Sequence, residues 1–107
     1  MAWLGREGDW VNRTDILLSV QRALLGAIGS EILAICIDVK REEVEIVAFA
    51  EQILSLTQRE ALQIVGTEVM ADLASPVPVT VRVVEQAKQP LKCQGTWVFL
   101  RLHCLVE

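Results

Sequence analysis

Three observations predict an α+β domain with the element order α-β-β-α-β-β. Two stretches carry apolar residues at helical spacing, four short runs are rich in β-branched, aromatic or Leu residues, and turn residues or charges separate one from the next. Two helices packed on one face of a four-stranded sheet is the simplest arrangement that buries all of these stripes. With 107 residues, 52% of them apolar, the chain supplies one core, so residues 1–107 are expected to form a single domain. A chain of this size buries roughly two-thirds of its unfolded surface and needs neither disulfides nor metal to fold.

Residues 1–11 mix glycine, charge, Trp3 and Trp10 without a period and read as an irregular leader whose tryptophans can dock on the body. From Thr14 the apolar residues Ile16, Val20, Ala23, Leu24, Ala27 and Ile28 recur as one helical stripe. Asn12 or Thr14 is a suitable cap, Asp15 favours the first turn, and Gly29 is a suitable stop. The uninterrupted run Ile32–Ile37 predicts a strand with both faces covered or partly covered. Lys40–Glu43 makes a charged tip and Val44–Ala50 returns, giving a hairpin whose register the turn residues do not define.

Thr57 and Glu60 have capping-box spacing, which places the start of a second helix at Thr57. On it Leu62, Val65, Gly66, Val69 and Leu73 share the face expected to pack on the sheet, and Ser75–Pro78 ends it. Val79–Val83 alternates in period two, a polar connection from Gln86 to Gln94 follows, and Trp97–Leu102 is the last strand.

Composition narrows the function classes. The net charge of −4 and the lack of clustered Lys and Arg argue against nucleic acid as a partner. The longest hydrophobic stretch, Ile16–Ile28, is 13 residues long and contains Gln21 and Arg22, too short and too polar for a membrane span. No signal-peptide pattern is expected at the start. Cys36, Cys93 and Cys104 are odd in number and Cys36 lies in an apolar run, which favours a reducing cytoplasm.

Catalytic, cofactor and metal sites are not expected. His103 matches no zinc spacing with Cys93 or Cys104, and neighbours on a strand point to opposite faces. The phosphate-loop, dinucleotide, nucleophile-elbow and HExxH patterns are missing from the sequence. An enzyme using Cys93, Cys104 or His103 is therefore the least favoured reading. Glu42, Glu43 and Glu45 read as a solvated turn partly neutralised by Lys40 and Arg41. Glu68 and Asp72 form a like-charged i, i+4 pair that calls for a positive group opposite, either a partner's or a local Arg such as Arg82. Leu18 and Leu25, seven residues apart, lie off the main stripe of helix one, and Ile64 and Ala71 repeat the arrangement on helix two. Such second stripes mark a partner or dimer interface, or helix-on-helix packing.

Thr67–Asp72 (TEVMAD), Gly95–Arg101 (GTWVFLR) and Ala23–Ile28 (ALLGAI) resemble segments of small α+β bacterial immunity-type proteins of polymorphic toxin and contact-dependent growth inhibition systems. The likeness covers most of residues 16 to 101. It implies a cytoplasmic protein that binds and neutralises a cognate toxin domain, and the acidic balance of the chain suits a basic one. The positions it carries over are Glu68 and Asp72 in the helix and Trp97 and Arg101 in the strand, with Trp97 either a partner anchor or a core aromatic. The sequence departs from the family pattern before helix two, where Ile53–Gln58 stands in place of an acid-rich stretch. The alternative from another class is a small dimeric secretion-chaperone-like or structural interaction protein.

Overall fold

A computed structural model describes residues 13–41, 43–73 and 77–107. The leader 1–11 with Trp3 and Trp10, the candidate cap Asn12, Glu42 of the hairpin tip and the helix-stop residues Ser75 and Pro76 lie outside the described residues. The elements are α1 (Arg13–Leu24), β1 (Ile32–Val39), β2 (Val44–Ala50), α2 (Leu56–Asp72), β3 (Val79–Val84) and β4 (Thr96–Leu100). Two helices and a four-stranded mixed sheet follow in the predicted order.

Helix α1 ends earlier than the glycine signal suggested. Gly26, not Gly29, takes the left-handed conformation, with φ +78°, and the Ala27 amide donates to the Leu24 carbonyl at 3.0 Å. Gly29 has another use. Its amide donates to Gln58 Oε1 at 2.8 Å, while Gln58 Nε2 donates to the Ala27 carbonyl at 2.8 Å. The buried Gln58 side chain thus gives both partners to a stretch of backbone that has left the helix and not yet joined the sheet.

The start of α2 is also displaced, by two residues. Ser55, not Thr57, is the N-cap, accepting from the Gln58 amide at 3.2 Å. The Ser55 amide and hydroxyl each donate to the Glu31 carboxylate at 2.7 Å. These bonds, the backbone one foremost, hold the Glu31 carboxyl below its ordinary range. The capping-box reading failed because the competing cap is braced by a residue 24 positions away, which local spacing does not register.

In the sheet the order is β3-β2-β1-β4, with β1 antiparallel to both β2 and β4 and β2 parallel to β3. Helix α2 is the crossover that a parallel pair requires. The hairpin register, open in the sequence, pairs Val39 with Val44, Cys36 with Val47 and Ile32 with Ala50. A register shift between Ile32 and Ala34 lets Ile32 join the helix side although Ala34 faces away. Beneath the helices Ile35, Ile37, Ile46 and Ala48 meet Ile16, Val20, Leu62, Val65 and Val69 in one buried cluster. Gly66 lets α2 approach β3, since a Cβ there would lie 2.8 Å from Val81 Cγ2.

Strands β3 and β4 occupy opposite edges, so their connection runs across the face turned away from the helices. There Ala34, Cys36, Val47 and Phe49 pack with Leu91, which is 3% exposed. Leu91 exchanges backbone bonds with the terminal segment, donating to the Leu105 carbonyl and accepting from the Glu107 amide, both at 2.8 Å. Cys93, on the same connection, is joined to Cys36 by a disulfide. This corrects the reading of the cysteines, whose odd number and apolar setting favoured a reducing cytoplasm: the two are far apart in sequence and meet only because the connection crosses β1. Cys104 remains free, and burial pushes its thiol pKa up.

β4 stops at Leu100, two residues short of the expected end, and the Cys104 amide donates to the Arg101 carbonyl at 2.9 Å. His103 therefore sits in an exposed turn with φ +70°, not on a strand.

Replacing Gln58 with Ala leaves the Gly29 amide and Ala27 carbonyl without their partner. The expected cost is about 2 kcal/mol, the usual penalty for orphaned buried polar groups. Urea unfolding should show a lower midpoint with an unchanged slope.

Candidate functional site

Helix α1 buries Ile16, Ser19, Val20 and Leu24. Its opposite side carries Leu18 and Arg22, with Leu25 following in the turn just beyond the helix, while α2 carries Ile64, Glu68 and Ala71 at i, i+4 and i+7. Leu18 is 47%, Leu25 81% and Ile64 57% exposed. The predicted second stripes are thus on the surface and are not consumed by packing one helix on the other. Between the helices runs a shallow groove of about 440 Å³ lined by Ser19, Arg22, Ala23, Glu68, Ala71 and Asp72.

The electrostatics of the groove rest on one cross-helix pair. Arg22 Nη2 donates to Asp72 Oδ2 at 2.5 Å, linking the last turn of α1 to that of α2. The positive group demanded by the Glu68 and Asp72 pair is therefore Arg22. Arg82, the candidate named from the sequence, lies on the sheet and pairs with Glu45 at 3.2 Å. The Ser19 hydroxyl facing the carboxylate, and then the Arg22 guanidinium, hold the Asp72 carboxyl below its ordinary range. Ser19 Oγ is buried and completes no well-formed hydrogen bond, so its effect on Asp72 is that of a nearby dipole. Glu68 has no ion-pair partner among the described residues and carries the uncompensated charge of the groove.

Trp97 and Arg101 are not part of this surface. Trp97 sits half-buried on the sheet face away from the helices, its ring 5.6 Å from that of Phe49. Arg101 donates from Nε to the Ile32 carbonyl and from Nη2 to the Gly29 carbonyl, both at 2.8 Å, with its guanidinium 5.7 Å from the Phe99 ring. Its donors tie the end of β4 to the entry of β1. Of the seven candidate partner residues, the structure gathers Leu18, Leu25, Ile64, Glu68 and Asp72 on the two helices and places Trp97 and Arg101 elsewhere.

Sequence reasoning missed Arg22, although its spacing of four from Leu18 and three from Leu25 already put it on the outer stripe. Exposed apolar side chains occur elsewhere too, at Ile53, Leu56, Leu102 and Leu105. What distinguishes the helical face is the combination of apolar ridges, an ion pair and an unmatched carboxylate around one groove.

Among the described residues no group of three or more His, Cys, Asp or Glu side chains could hold a metal ion. No helix among them is long and apolar enough to cross a membrane. A shallow groove with apolar ridges and a charged rim has the geometry of a protein-recognition surface. The chain belongs to the MafI2 immunity protein family, whose family model matches residues 13–103 and so spans all six elements. That membership bears out the resemblance drawn from the helix and strand segments. No curated relative matches the chain.

Because the native carboxyl of Asp72 titrates below its unfolded counterpart, the folded state binds fewer protons between the two values. Its stabilising contribution is complete above the ordinary carboxylate range and is lost as pH falls through the native value. Asp72→Asn should therefore flatten the fall in urea midpoint below about pH 4, and 0.5 M salt should weaken the same dependence in the unaltered protein.

Proposed function

We propose that the protein is an inhibitor that binds a cognate toxin domain through the α1–α2 face and blocks it by occupying its working surface. Membership of an immunity family over residues 13–103 is the observation that carries this reading. The geometry supplies the physical basis. Leu18 and Ile64 project from helices whose opposite sides are locked into the core, and Leu25 from the turn directly after α1, so little backbone is ordered on association. Apolar anchors of this kind yield most of the affinity when a partner desolvates them.

Charge sets the partner's character. Glu68 and a net charge of −4 favour a toxin surface that presents Lys or Arg opposite the groove, which speeds encounter and penalises acidic competitors. Trp97 and Arg101 act indirectly in this reading, keeping the sheet in place beneath the helices. Inhibition requires no catalysis by this chain, and the encounter takes place in the cytoplasm, where the toxin would otherwise reach its target.

The test is to co-express the chain with a candidate toxin domain encoded by a neighbouring gene. Ile64→Asp and Glu68→Lys should each weaken binding by about thirtyfold or more and abolish protection of the cell, with unchanged thermal stability. Leu102→Ser, at a distant exposed site, should leave both intact. Protection that survives both helix substitutions would move the interface elsewhere, and failure of the unaltered chain to protect would end the inhibitor reading. Should Ile64→Asp instead turn a dimer into a monomer in light scattering, the face serves self-association.

A further inference from the structure

The sheet face turned away from the helices holds a second cleft, of about 470 Å³, rimmed by Asp38, Glu45, Arg82 and Lys92 and lined at its base by Cys36 and Cys93. Cys36 is only 1% exposed, whereas Cys93 is partly exposed, so a reacting sulfur approaches the disulfide from the Cys93 side. The Gly95 amide donates to Cys93 Sγ at 3.3 Å. The Gly95 backbone lies so close to the Ile37 carbonyl that no Cβ fits there.

We propose that this cleft is a thiol–disulfide exchange site, at which a small dithiol reduces the Cys36–Cys93 bond and frees the connection 85–95 from the sheet while the helix-side core stays folded. One thiolate of the dithiol attacks Cys93 Sγ, forming a mixed disulfide, and Cys36 leaves as a thiolate that takes a proton. The second thiol, once deprotonated, attacks the reductant's own sulfur in that mixed disulfide. A cyclic disulfide closes, and Cys93 departs as a thiolate held by the Gly95 amide before it too is protonated. Two electrons pass from the dithiol to the protein, leaving two protein thiols and one oxidised reductant.

Release is local because of how the core is divided. The connection covers a small cluster of Ala34, Cys36, Val47, Phe49 and Leu91, separate from the larger one under the helices. Opening uncovers Cys36 with Ala34, Val47 and Phe49, a patch much smaller than the core under the helices. With the disulfide reduced, the connection is retained on the sheet by Leu91, by the Ala87 amide on the Ala50 carbonyl and, at its start, by the Glu85 carboxylate that Leu54 and Arg59 bond, while its bonds at Gln89, Leu91 and Lys92 run to the terminal segment 105–107. The proposal stands without the toxin reading, and the α1–α2 groove lies on the opposite side of the sheet.

The experiment treats the purified full chain with dithiothreitol in the absence of denaturant. Maleimide labelling after quenching and unfolding should count one free thiol, that of Cys104, before treatment and three after it. Amide exchange at Leu91 and Gly95 should accelerate by about tenfold or more, with Val20 and Val65 unchanged. Cys93→Ser should show the accelerated pattern without reductant. Three thiols in the untreated protein, a bond that yields only in denaturant, unchanged exchange at Leu91, or protection lost across α1 and α2 would each overturn the proposal.

Discussion

Strand β1 is apolar on both of its faces from Ile32 to Ile37, and the rest of the molecule is arranged to cover that run. Ile35 and Ile37 lie under the helices while Ala34 and Cys36 lie under the β3–β4 connection, and all four are at most 1% exposed. A strand of that kind is stable only in the interior of a sheet with layers on both sides. Pairing it with β2 and β4 puts β3 and β4 at opposite edges. From that order follows a long connection over the second face, and with it the meeting of Cys93 with Cys36.

The two sides of the sheet differ in construction and hence in what they can do. On the helix side a large cluster is closed by Gln58, whose amide satisfies the backbone between α1 and β1, and by Arg101, which caps carbonyls of the same passage. That rigidity lets the outer stripes of α1 and α2 present apolar ridges and an unmatched Glu68 at little entropic cost. The other side is a thin layer on a small cluster, held by Leu91, a few backbone bonds and one disulfide. Recognition suits the first side and a reducible closure suits the second.

The residues that were legible in the sequence are those whose pattern is set by their own segment. The stripes Ile16–Val20–Leu24 and Leu62–Val65–Val69 announced which sides of the helices would be buried, and the same 3.6-residue period put Leu18, Leu25 and Ile64 on the outside. The two helix ends misread, Gly29 for Gly26 and Thr57 for Ser55, have different causes. Helix α1 stops locally at the nearer of two glycines, Gly26, leaving Gly29 to bond Gln58, whereas the cap at Ser55 is braced by Glu31, a distant bond that leaves no local spacing to read. Trp97 and Arg101 were legible as members of a family motif but not as to role, since an aromatic or a guanidinium serves a core and a surface equally well.

Sequence by itself determined the α+β class, the element order, the core stripes and the immunity-type likeness, because periodicity, apolar content and short motifs are properties of consecutive residues. Only the tertiary structure decided the strand order, the parallel pairing of β2 with β3, the partnership of Asp72 with Arg22 instead of Arg82, and the joining of Cys36 to Cys93. Each of these brings together groups separated by tens of residues, and their contact is determined by how the layers stack and not by any feature either segment carries alone.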